Sequence, residues 1–552
     1  MNRRTFVELA LLGAPATLMG AQAAKRMALP TREQREWQDL ELETFIHFGP
    51  KTWPRSGSGK LYTPVEEITP EKLDVEQWAD VAESMGSRQI VFTAKHGAGF
   101  CWWQTETSPY GVKEISWRHG KGDVMRDLAA CCHRRGIKLG VYLSPRDLVF
   151  GVETGGRSVD PAGQENYNRI YRQQLTEILS RYGNIGEIWF DGNLIIDVGD
   201  ILQRYAPKAM VFQSQYCTIR WVGNEIGFAP DPNWNAVSAE AARSGVATAK
   251  DGDPEGDRWL PVEVDARIRS EWFWSPTNEA TLKSLDELMA MYYRSVGHGA
   301  CLLLDQGPDR SGLIPAGDAR RTAEFGAEIR RRFTKSLAET RGRGSTVELQ
   351  LGRTAAIDHV ITMEDLAQGQ RVREYRIEGL IAGEWHELAV GKSVGQKKID
   401  AFKPVDVSAV RWHCTKSAAA PILRKLAVYH VGAQGPGQAG PPPIYHTLYE
   451  WNEQSLPADA NVTWDLNIGP YCAEAGQYEV TLVVTGGGGI LLRSATLFMG
   501  GVETPEFVKR PAGTDRVVLV SLPGVNPSVK LRMVVSRRRD PSFGQVMLRR
   551  ID

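Results

Sequence analysis

The chain has 552 residues, more than a single hydrophobic core usually serves, so its length predicts several domains. Hydrophobic residues make up 42% and charged residues 24%, which is ordinary for a globular protein in water. Lys plus Arg and Asp plus Glu both number 66, so no net charge attracts nucleic acid or an anionic membrane, and we expect neither as a partner.

The first 23 residues have the pattern of an export signal of the twin-arginine type. An Arg-Arg pair at positions 3 and 4 precedes an apolar run over residues 9–19, and Ala21 and Ala23 are the small residues of a cleavage site. The run is too short to span a bilayer, and no other stretch is long and apolar enough. We therefore expect a periplasmic or secreted protein without a membrane span in the mature chain.

Short apolar segments alternate with amphipathic helical segments over residues 30–338. The predicted strands cover residues 43–48, 88–96, 138–144, 186–192, 209–214, 259–268 and 300–304. Fully apolar short strands with helices between them are typical of a parallel sheet buried on both faces. The pattern predicts an α/β fold, a (β/α)8 barrel, with an open doubly wound sheet as the alternative. No Gly-x-Gly-x-x-Gly motif follows the first strand, so nucleotide binding has no support.

Helical patterns end near residue 340, and strand patterns with turn residues follow. We predict a β-sandwich over residues 342–432, a Pro/Gly-rich linker over residues 433–443 and a second β-sandwich over residues 444–552.

Polar residues at the ends of the predicted barrel strands are the candidates for chemistry, because barrel enzymes place their active site there. His47, His96, Tyr142 and Asp191 each lie at such an end. The segment 259–268 adds Glu263 and Asp265 in an apolar context, where two carboxyl groups are costly unless they are paired or have a function. Two opposed carboxyl groups, one ionised and one kept protonated by a raised pKa, are what glycoside hydrolysis requires.

Three motifs at successive strand ends carry a family resemblance. The sequences FIHFG at 45–49, TAKH at 93–96 and WFDG at 189–192 resemble those of the α-L-fucosidase family, glycoside hydrolase family 29. Segments 220–225 (RWVGNE), 261–273 and 302–314 are similar to the linkage-selective branch of that family, and residues 342–432 resemble the discoidin-like module that often follows the barrel. The resemblance implies a retaining exo-glycosidase that releases terminal α-L-fucose from an oligosaccharide or polysaccharide, without a cofactor or metal.

The resemblance also implies roles for individual residues. Asp191 is expected to be the nucleophile, and Glu263, from the segment that carries the acid/base in the similar branch, the acid/base, with Asp265 and Glu225 as fallback candidates. The other expected contacts to substrate are His47, His96, Trp189, Tyr142, Arg220 and Glu225 around the sugar, with Trp103 and Trp272 on the leaving-group side.

One segment departs from the family pattern. The family usually reads Lys-His-His-Asp-Gly-Phe after the second strand, whereas residues 95–100 read Lys-His-Gly-Ala-Gly-Phe. The second histidine, which helps to hold fucose hydroxyls in the family, is missing. A Gly-Ala pair is expected to open space for a sulfate, a branch sugar or the hydroxymethyl group of L-galactose.

Several functional alternatives remain at this stage. One is an α-L-galactosidase or a hydrolase of sulfated or branched fucosides, and another is a catalytically decayed carbohydrate-binding protein. A structural surface protein would leave the strand-end residues unexplained. His47, His96 and Asp191 are residue types that bind zinc, but the two-carboxylate chemistry needs no metal. Linkage, aglycone and oligomeric state are not specified by the sequence.

Overall fold

The computed structural model describes residues 27–53, 63–192, 194–238, 252–432, 446–451, 455–472, 475–487, 490–510, 516–523, 528–537 and 542–551. The predicted export signal and the predicted linker lie outside the described residues. Within the described part of the chain, no helix has the length and apolar character needed to span a membrane.

Eight parallel strands form the first domain and confirm the predicted barrel. They are β1 Leu42–Ile46, β2 Gln89–Lys95, β3 Lys138–Leu143, β4 Ile185–Trp189, β5 Met210–Phe212, β6 Arg220–Trp221, β7 Val262–Arg267 and β8 Cys301–Gln306. The strand order is β5-β4-β3-β2-β1-β8-β7-β6. A parallel bridge between Phe212 and Ile219 joins β5 to the start of β6, so the sheet closes on itself.

Seven helices accompany the strands in the described residues. They are α1 Arg32–Gln38, α2 Val75–Met85, α3 Val124–Arg135, α4 Gln164–Arg181, α5 Gly199–Tyr205, α6 Leu285–Arg294 and α7 Ala316–Phe333. Local sequence sets their ends: Asp123 accepts a hydrogen bond from the amide of Arg126 at the start of α3, and Gly136 ends that helix in the left-handed region at φ 70°.

The barrel departs from strict alternation between β5 and β7. Residues 213–219 connect β5 to β6 directly, without a helix. The described part of the β6–β7 connection contains a short antiparallel pair, Ala236–Val237 with Arg258–Trp259, instead of a helix. This side of the barrel is therefore built from loops, and it contributes part of the site.

Side chains inside the barrel form layers because alternate residues of a strand face the same side. Along β1 the inward series is Glu43, Phe45 and then His47 just past the strand end. Along β4 the same steps give Glu187, Trp189 and Asp191. Phe45 and Trp189 have ring centroids 4.9 Å apart. The interior thus consists of a carboxyl floor, an aromatic middle layer and a polar rim at the carboxyl ends of the strands.

A six-stranded antiparallel sheet follows the barrel. Its strands are β9 Ala338–Arg343, β10 Thr346–Glu364, β11 Val372–Ile381, β12 Glu384–Gly391, β13 Lys398–Ser417 and β14 Ile422–Tyr429, in the order β9-β14-β10-β13-β11-β12. Register shifts interrupt the long β10–β13 pair, so the sheet bends around its own apolar core. The domain begins earlier than the predicted residue 342, and it packs against the barrel, where the hydroxyl of Tyr293 lies 2.7 Å from Nε2 of His359.

The last domain is a two-sheet antiparallel sandwich. Its strands are β15 His446–Trp451, β16 Asn461–Asn467, β17 Gly476–Gly487, β18 Ile490–Met499, β19 Val502–Glu503, β20 Val508–Lys509, β21 Val517–Leu522, β22 Val529–Arg537 and β23 Ser542–Arg550. The sheets run β15-β23-β17-β21-β20 and β16-β22-β18-β19. Alternate side chains of the strands fill an apolar core between the two sheets.

Candidate active site

A cleft opens at the carboxyl ends of the barrel strands and brings most of the predicted site residues together. Its cavity volume is about 180 Å³, below the roughly 300 Å³ at which sites for drug-sized ligands begin, so it suits a single sugar ring. Eight predicted residues line it, namely His47, His96, Tyr142, Trp189, Asp191, Glu225, Asp265 and Trp272. The other lining residues are Phe45, Gly192, Phe212, Gln213 and Trp221.

Asp191 lies just past the end of β4, and its carboxylate is held by a neighbouring strand. The hydroxyl of Tyr142 donates a hydrogen bond of 2.7 Å to Oδ2 of Asp191. Burial and the charge of Asp191 raise the pKa of Tyr142 well above its usual value, so the phenol stays a donor. The amide of Gly192 donates to Oε1 of Gln213 at 2.5 Å, which fixes the backbone after Asp191. The carboxylate is thereby oriented while it remains open to the cleft.

Two histidines form one wall of the cleft and have different partners. His47 is buried, and its Nδ1 lies 2.8 Å from Oδ1 of Asp305. The ring of His96 stacks on Tyr142 with centroids 5.3 Å apart. Burial, followed by the charge of Lys51, lowers the pKa of His96 well below its usual value. A neutral imidazole offers one donor and one acceptor, the pair that sugar hydroxyls require.

The opposite wall carries two carboxyl groups close to one another. Asp265 is buried on β7 and accepts a hydrogen bond of 2.6 Å from Nε1 of Trp221. Burial and the neighbouring charge of Glu225 raise the pKa of Asp265 well above its usual value. Glu225 follows β6 on a loop, keeps 38% of its side chain exposed and pairs with Arg267 at 3.4 Å. The more accessible of the two groups is therefore Glu225.

Three predicted site residues lie outside the cleft lining. Glu263 belongs to the floor, two residues before Asp265 on the same strand, which places it roughly 6–7 Å deeper. Arg220 donates to the carbonyl of Trp234 at 2.6 Å and is buried there. Trp103 donates to Glu177 on α4 at 2.9 Å within the core between barrel and helices. Each of these three side chains supports the scaffold around the cleft.

Gln213 is the lining residue that the sequence analysis missed although a signal was present. It ends a predicted strand with a polar residue, the same criterion that selected His47 and Asp191. Gln213 and Ser214 both adopt left-handed backbone conformations, with φ of 60° and 71°. Such conformations cost about 1–2 kcal/mol for residues other than glycine and cluster at functional sites. The strain turns the Gln213 side chain toward Gly192.

Three carboxyl groups meet at the barrel floor beneath the cleft. Oxygen atoms of Glu43, Glu187 and Glu263 lie within 4.8 Å of one another, and all three side chains are fully buried. Gln89 donates to both Glu43 and Glu187, and Trp189 donates to Glu263 at 3.0 Å. Burial raises the pKa of all three groups, and mutual repulsion adds to this for Glu43 and Glu263. The three floor carboxyl groups therefore stay protonated at higher pH than glutamates in water do.

This floor predicts how stability depends on pH. The folded protein holds protons that free glutamates, with an ordinary pKa of 4.5, release. The protonated carboxyl groups of the floor therefore contribute fully to the free energy of unfolding below about pH 4.5. This contribution is lost as the pH rises through the pKa values of the folded protein. Glu263→Gln keeps an acceptor for Trp189 and removes one titrating group. We expect its melting temperature to match wild type at about pH 5 and to exceed it by about 2–4 °C at about pH 9.

Thermal melts at several pH values measure this effect. Glu384→Gln, at an exposed position of the first sheet domain, is the control for loss of a carboxylate and should follow wild type. Part of the pH dependence should persist in Glu263→Gln, because burial also raises the pKa of Glu364 to about 7 and that of Asp400 to about 6. A variant that is less stable than wild type at high pH would contradict a protonated floor.

The segment that departs from the family pattern is filled, contrary to the expected open space. Lys95 makes a fully buried ion pair of 3.0 Å with Asp147. Gly99 has φ +89°, and a Cβ there would lie 2.3 Å from Oδ1 of Asp147, so only glycine fits. The face of Gly97 is covered by the side chain of Arg146, whose Cδ would lie 3.2 Å from a Cβ at that position.

Comparisons with known proteins agree with this geometry. The family model described as α-L-fucosidase matches residues 20–331. "Alpha-L-fucosidase 1" of Arabidopsis thaliana is 28% identical over 77% of this chain and 92% of its own length. A family 29 fucosidase of Ruminococcus gnavus, solved in complex with fucose, superposes with a TM-score of 0.66 at 26% identity, over 74% of this chain and 95% of that chain.

A second solved structure extends the similarity beyond the barrel. A family 29 member from an unknown rumen bacterium superposes with a TM-score of 0.67 at 25% identity, over 93% of this chain and all of that chain. The family model covers more than half of the chain. The chain belongs to the α-L-fucosidase family, glycoside hydrolase family 29.

Proposed function

We propose that this chain is a retaining exo-α-L-fucosidase in which Asp191 is the nucleophile and Glu225 the acid/base. The observation that supports this most directly is that both carboxyl groups line one sugar-sized cleft. His47 and His96 lie on the same lining and offer ring nitrogens to hydroxyl groups. An exo-acting enzyme needs a pocket that is closed around the terminal sugar and open toward the rest of the substrate.

Asp191 is suited to attack because it is held and accessible at the same time. The hydrogen bond from Tyr142 orients one carboxylate oxygen, and the other has no hydrogen bond from the described residues. In the first step that oxygen bonds to the anomeric carbon while the bond to the leaving oxygen breaks, which gives a glycosyl-enzyme ester with inverted configuration. Water then displaces Asp191 from the opposite face and restores the original configuration.

Glu225 is suited to proton transfer because it lies toward the solvent side of the cleft. The leaving group of an exo-enzyme points outward, so its oxygen is protonated by a group near the opening rather than by one in the floor. Glu225 has 38% of its side chain exposed, whereas Glu263 is fully buried beneath Trp189. The same Glu225 carboxylate then takes the proton of the attacking water. Asp265, bonded to Trp221, keeps the wall behind Glu225 in place.

The test is hydrolysis of 4-nitrophenyl α-L-fucoside, the matching α-L-galactoside and fucosylated oligosaccharides of different linkage. We expect the fucosides to be cleaved and proton NMR to show α-L-fucose as the first product, before mutarotation. The β-anomer as first product would contradict the retaining mechanism. Binding of fucosylated glycans without any hydrolysis would instead favour a carbohydrate-binding protein.

A further inference from the structure

Arg146 lies where this chain departs from its family. It follows β3 and covers Gly97, which directly follows His96. A Cβ on Gly97 would lie 3.2 Å from Cδ, 3.5 Å from Cγ and 3.7 Å from Cβ of Arg146. A side chain at position 97 and the Arg146 side chain would therefore compete for the same volume. The Arg146 side chain therefore covers the position at which the family pattern has its second histidine.

Among the described residues, no acidic side chain pairs with Arg146. Its Nε is buried and has no hydrogen-bond partner among the described residues, and none of their ion pairs includes Arg146. The adjacent Asp147 is committed to Lys95 at 3.0 Å, with both side chains fully buried. An unpaired cation in a partly buried position is costly, and an anion bound to the accessible part of the guanidinium would neutralise it.

Arg146 lies beside the sugar end of the cleft, because Gly97, which it covers, directly follows the lining residue His96. Burial and the charges of Lys51, His47 and Arg146 lower the pKa of His96. Lys51 stands 5.9 Å from the ring of Phe273, which meets His96 edge to face at 5.0 Å.

Two acids of the described residues near His96 have other partners. Glu271 faces Lys51 and Arg267, and Asp305 is bonded to His47 at 2.8 Å. Two cations, Lys51 and Arg146, therefore lie beside His96.

We propose that the terminal fucose bound in this cleft carries a tetrahedral oxyanion ester, sulfate or phosphate, which the Arg146 guanidinium binds. This inference rests on the proposed fucosidase function and specifies its substrate class. A guanidinium presents several N–H donors in a plane and matches the oxygens of such an ester, whereas neutral hydroxyls need no cation. Arg146 thus acts as a specificity residue in the place of the histidine that recognises hydroxyls.

The test compares 4-nitrophenyl α-L-fucosides that are unsubstituted or that carry one sulfate, phosphate or acetyl ester at O2, O3 or O4. The acetyl esters separate available space from charge, and the sulfate and phosphate arms separate the two oxyanions. We expect wild type to favour one sulfated or phosphorylated isomer over the corresponding acetyl ester by about 10- to 100-fold in kcat/KM, as expected for a hydrogen bond to a charged group. Arg146→Gln should abolish this preference and Arg146→Lys should retain part of it.

The matched control is Arg320→Gln, which removes one positive charge at an exposed position of α7 and should retain the preference. Equal rates on charged and neutral esters, or an equal loss on all substrates in Arg146→Gln, would overturn the inference. If wild type cleaves no α-L-fucoside, the proposed function fails separately. Calorimetry with methyl α-L-fucoside and its sulfates and phosphates then decides, since tighter binding of a charged ester that is lost in Arg146→Gln supports the inference and its absence overturns it.

Discussion

Asp191→Asn is expected to lose about 10,000-fold or more in kcat/KM on every α-L-fucoside, because an amide cannot form the glycosyl ester. The substitution is nearly isosteric and keeps an acceptor for the Tyr142 hydroxyl, so the cleft should retain its shape. Initial rates with 4-nitrophenyl α-L-fucoside measure the loss, and thermal melts show whether the fold is intact.

The control for this variant is Asp200→Asn. Asp200 is exposed and pairs with Arg172 at 2.7 Å on the surface, an interaction that usually contributes little to stability. It lies on α5, directly after the β4 loop, and its loss should leave kcat/KM within about twofold of wild type. A similar loss in both variants would mean that the assay reports folding rather than chemistry.

The configuration of the product formed with azide tests whether Asp191 is the nucleophile. Asp191→Gly opens the face of the sugar from which the carboxylate would attack. Azide added to this variant should enter from that face and give β-L-fucosyl azide, in a single displacement with an activated leaving group. If Asp191→Asn keeps more than about one tenth of wild-type activity, Asp191 is not the nucleophile, since loss of a nucleophile is far more severe.

The sequence predicts the barrel well because its strands are short apolar runs and its helices have capping residues at their ends. β2 is buried along its whole length, and α3 begins and ends at a capping Asp and a left-handed Gly. Patterns of this kind depend on neighbours in the chain. The direct connection from β5 to β6 and the strand pair in the described part of the β6–β7 connection were not predicted, because Arg220–Trp221 is too short to show a strand pattern and depends on pairing with β7.

The sequence predicts which strand ends form the site, but not the level of each side chain along the barrel axis. Every second residue of β1 and β4 faces the barrel interior. Glu43 and Glu187 therefore lie in the floor, and His47 and Asp191, four residues later, lie at the rim. β7 carries Glu263 and Asp265 one step apart, and their level is set by the stagger between strands. Stagger arises from pairing across the whole barrel, which no local pattern records, so the sequence does not show that Glu263 is buried in the floor while Asp265 lines the cleft.

The space over Gly97 is a similar case. The sequence shows that a side chain is lost there, and loss of a side chain alone suggests an opening. Arg146 is far enough along the chain, beyond β3, that its return over Gly97 is a tertiary contact. Close packing in protein interiors makes a filled gap the ordinary outcome. The glycine at position 97 is therefore covered by Arg146 instead of leaving a gap.

Glu225→Gln is expected to impair hydrolysis in a manner that depends on the leaving group. Sugar leaving groups need a proton, so kcat/KM on fucosylated oligosaccharides should fall by about 100- to 10,000-fold. From 2,4-dinitrophenyl α-L-fucoside, dinitrophenolate leaves without a proton, so the rate of glycosyl-enzyme formation should change by less than about tenfold. Hydrolysis of the glycosyl-enzyme should become slow, because no base activates water. A pre-steady-state burst of dinitrophenolate should therefore appear.

Glu263→Gln is the matched comparison, since it makes the same chemical change one layer deeper. Its carboxyl group lies in the floor, hydrogen-bonded to Trp189 and without access to the cleft lining, so its effect should be similar on good and poor leaving groups. We expect a loss of less than about tenfold, together with the altered stability at high pH described above.

Azide distinguishes the carboxylates by product stereochemistry. In Glu225→Gln the ester on Asp191 still forms, and azide needs no general base, so it should attack the intermediate and give α-L-fucosyl azide with faster turnover. The same rescue in Glu263→Gln but not in Glu225→Gln would return the acid/base role to the floor. Rescue by azide confined to Asp265→Asn would assign the acid/base role to Asp265, which is bonded to Trp221. Glu225, which lines the cleft, would then belong to the leaving-group site.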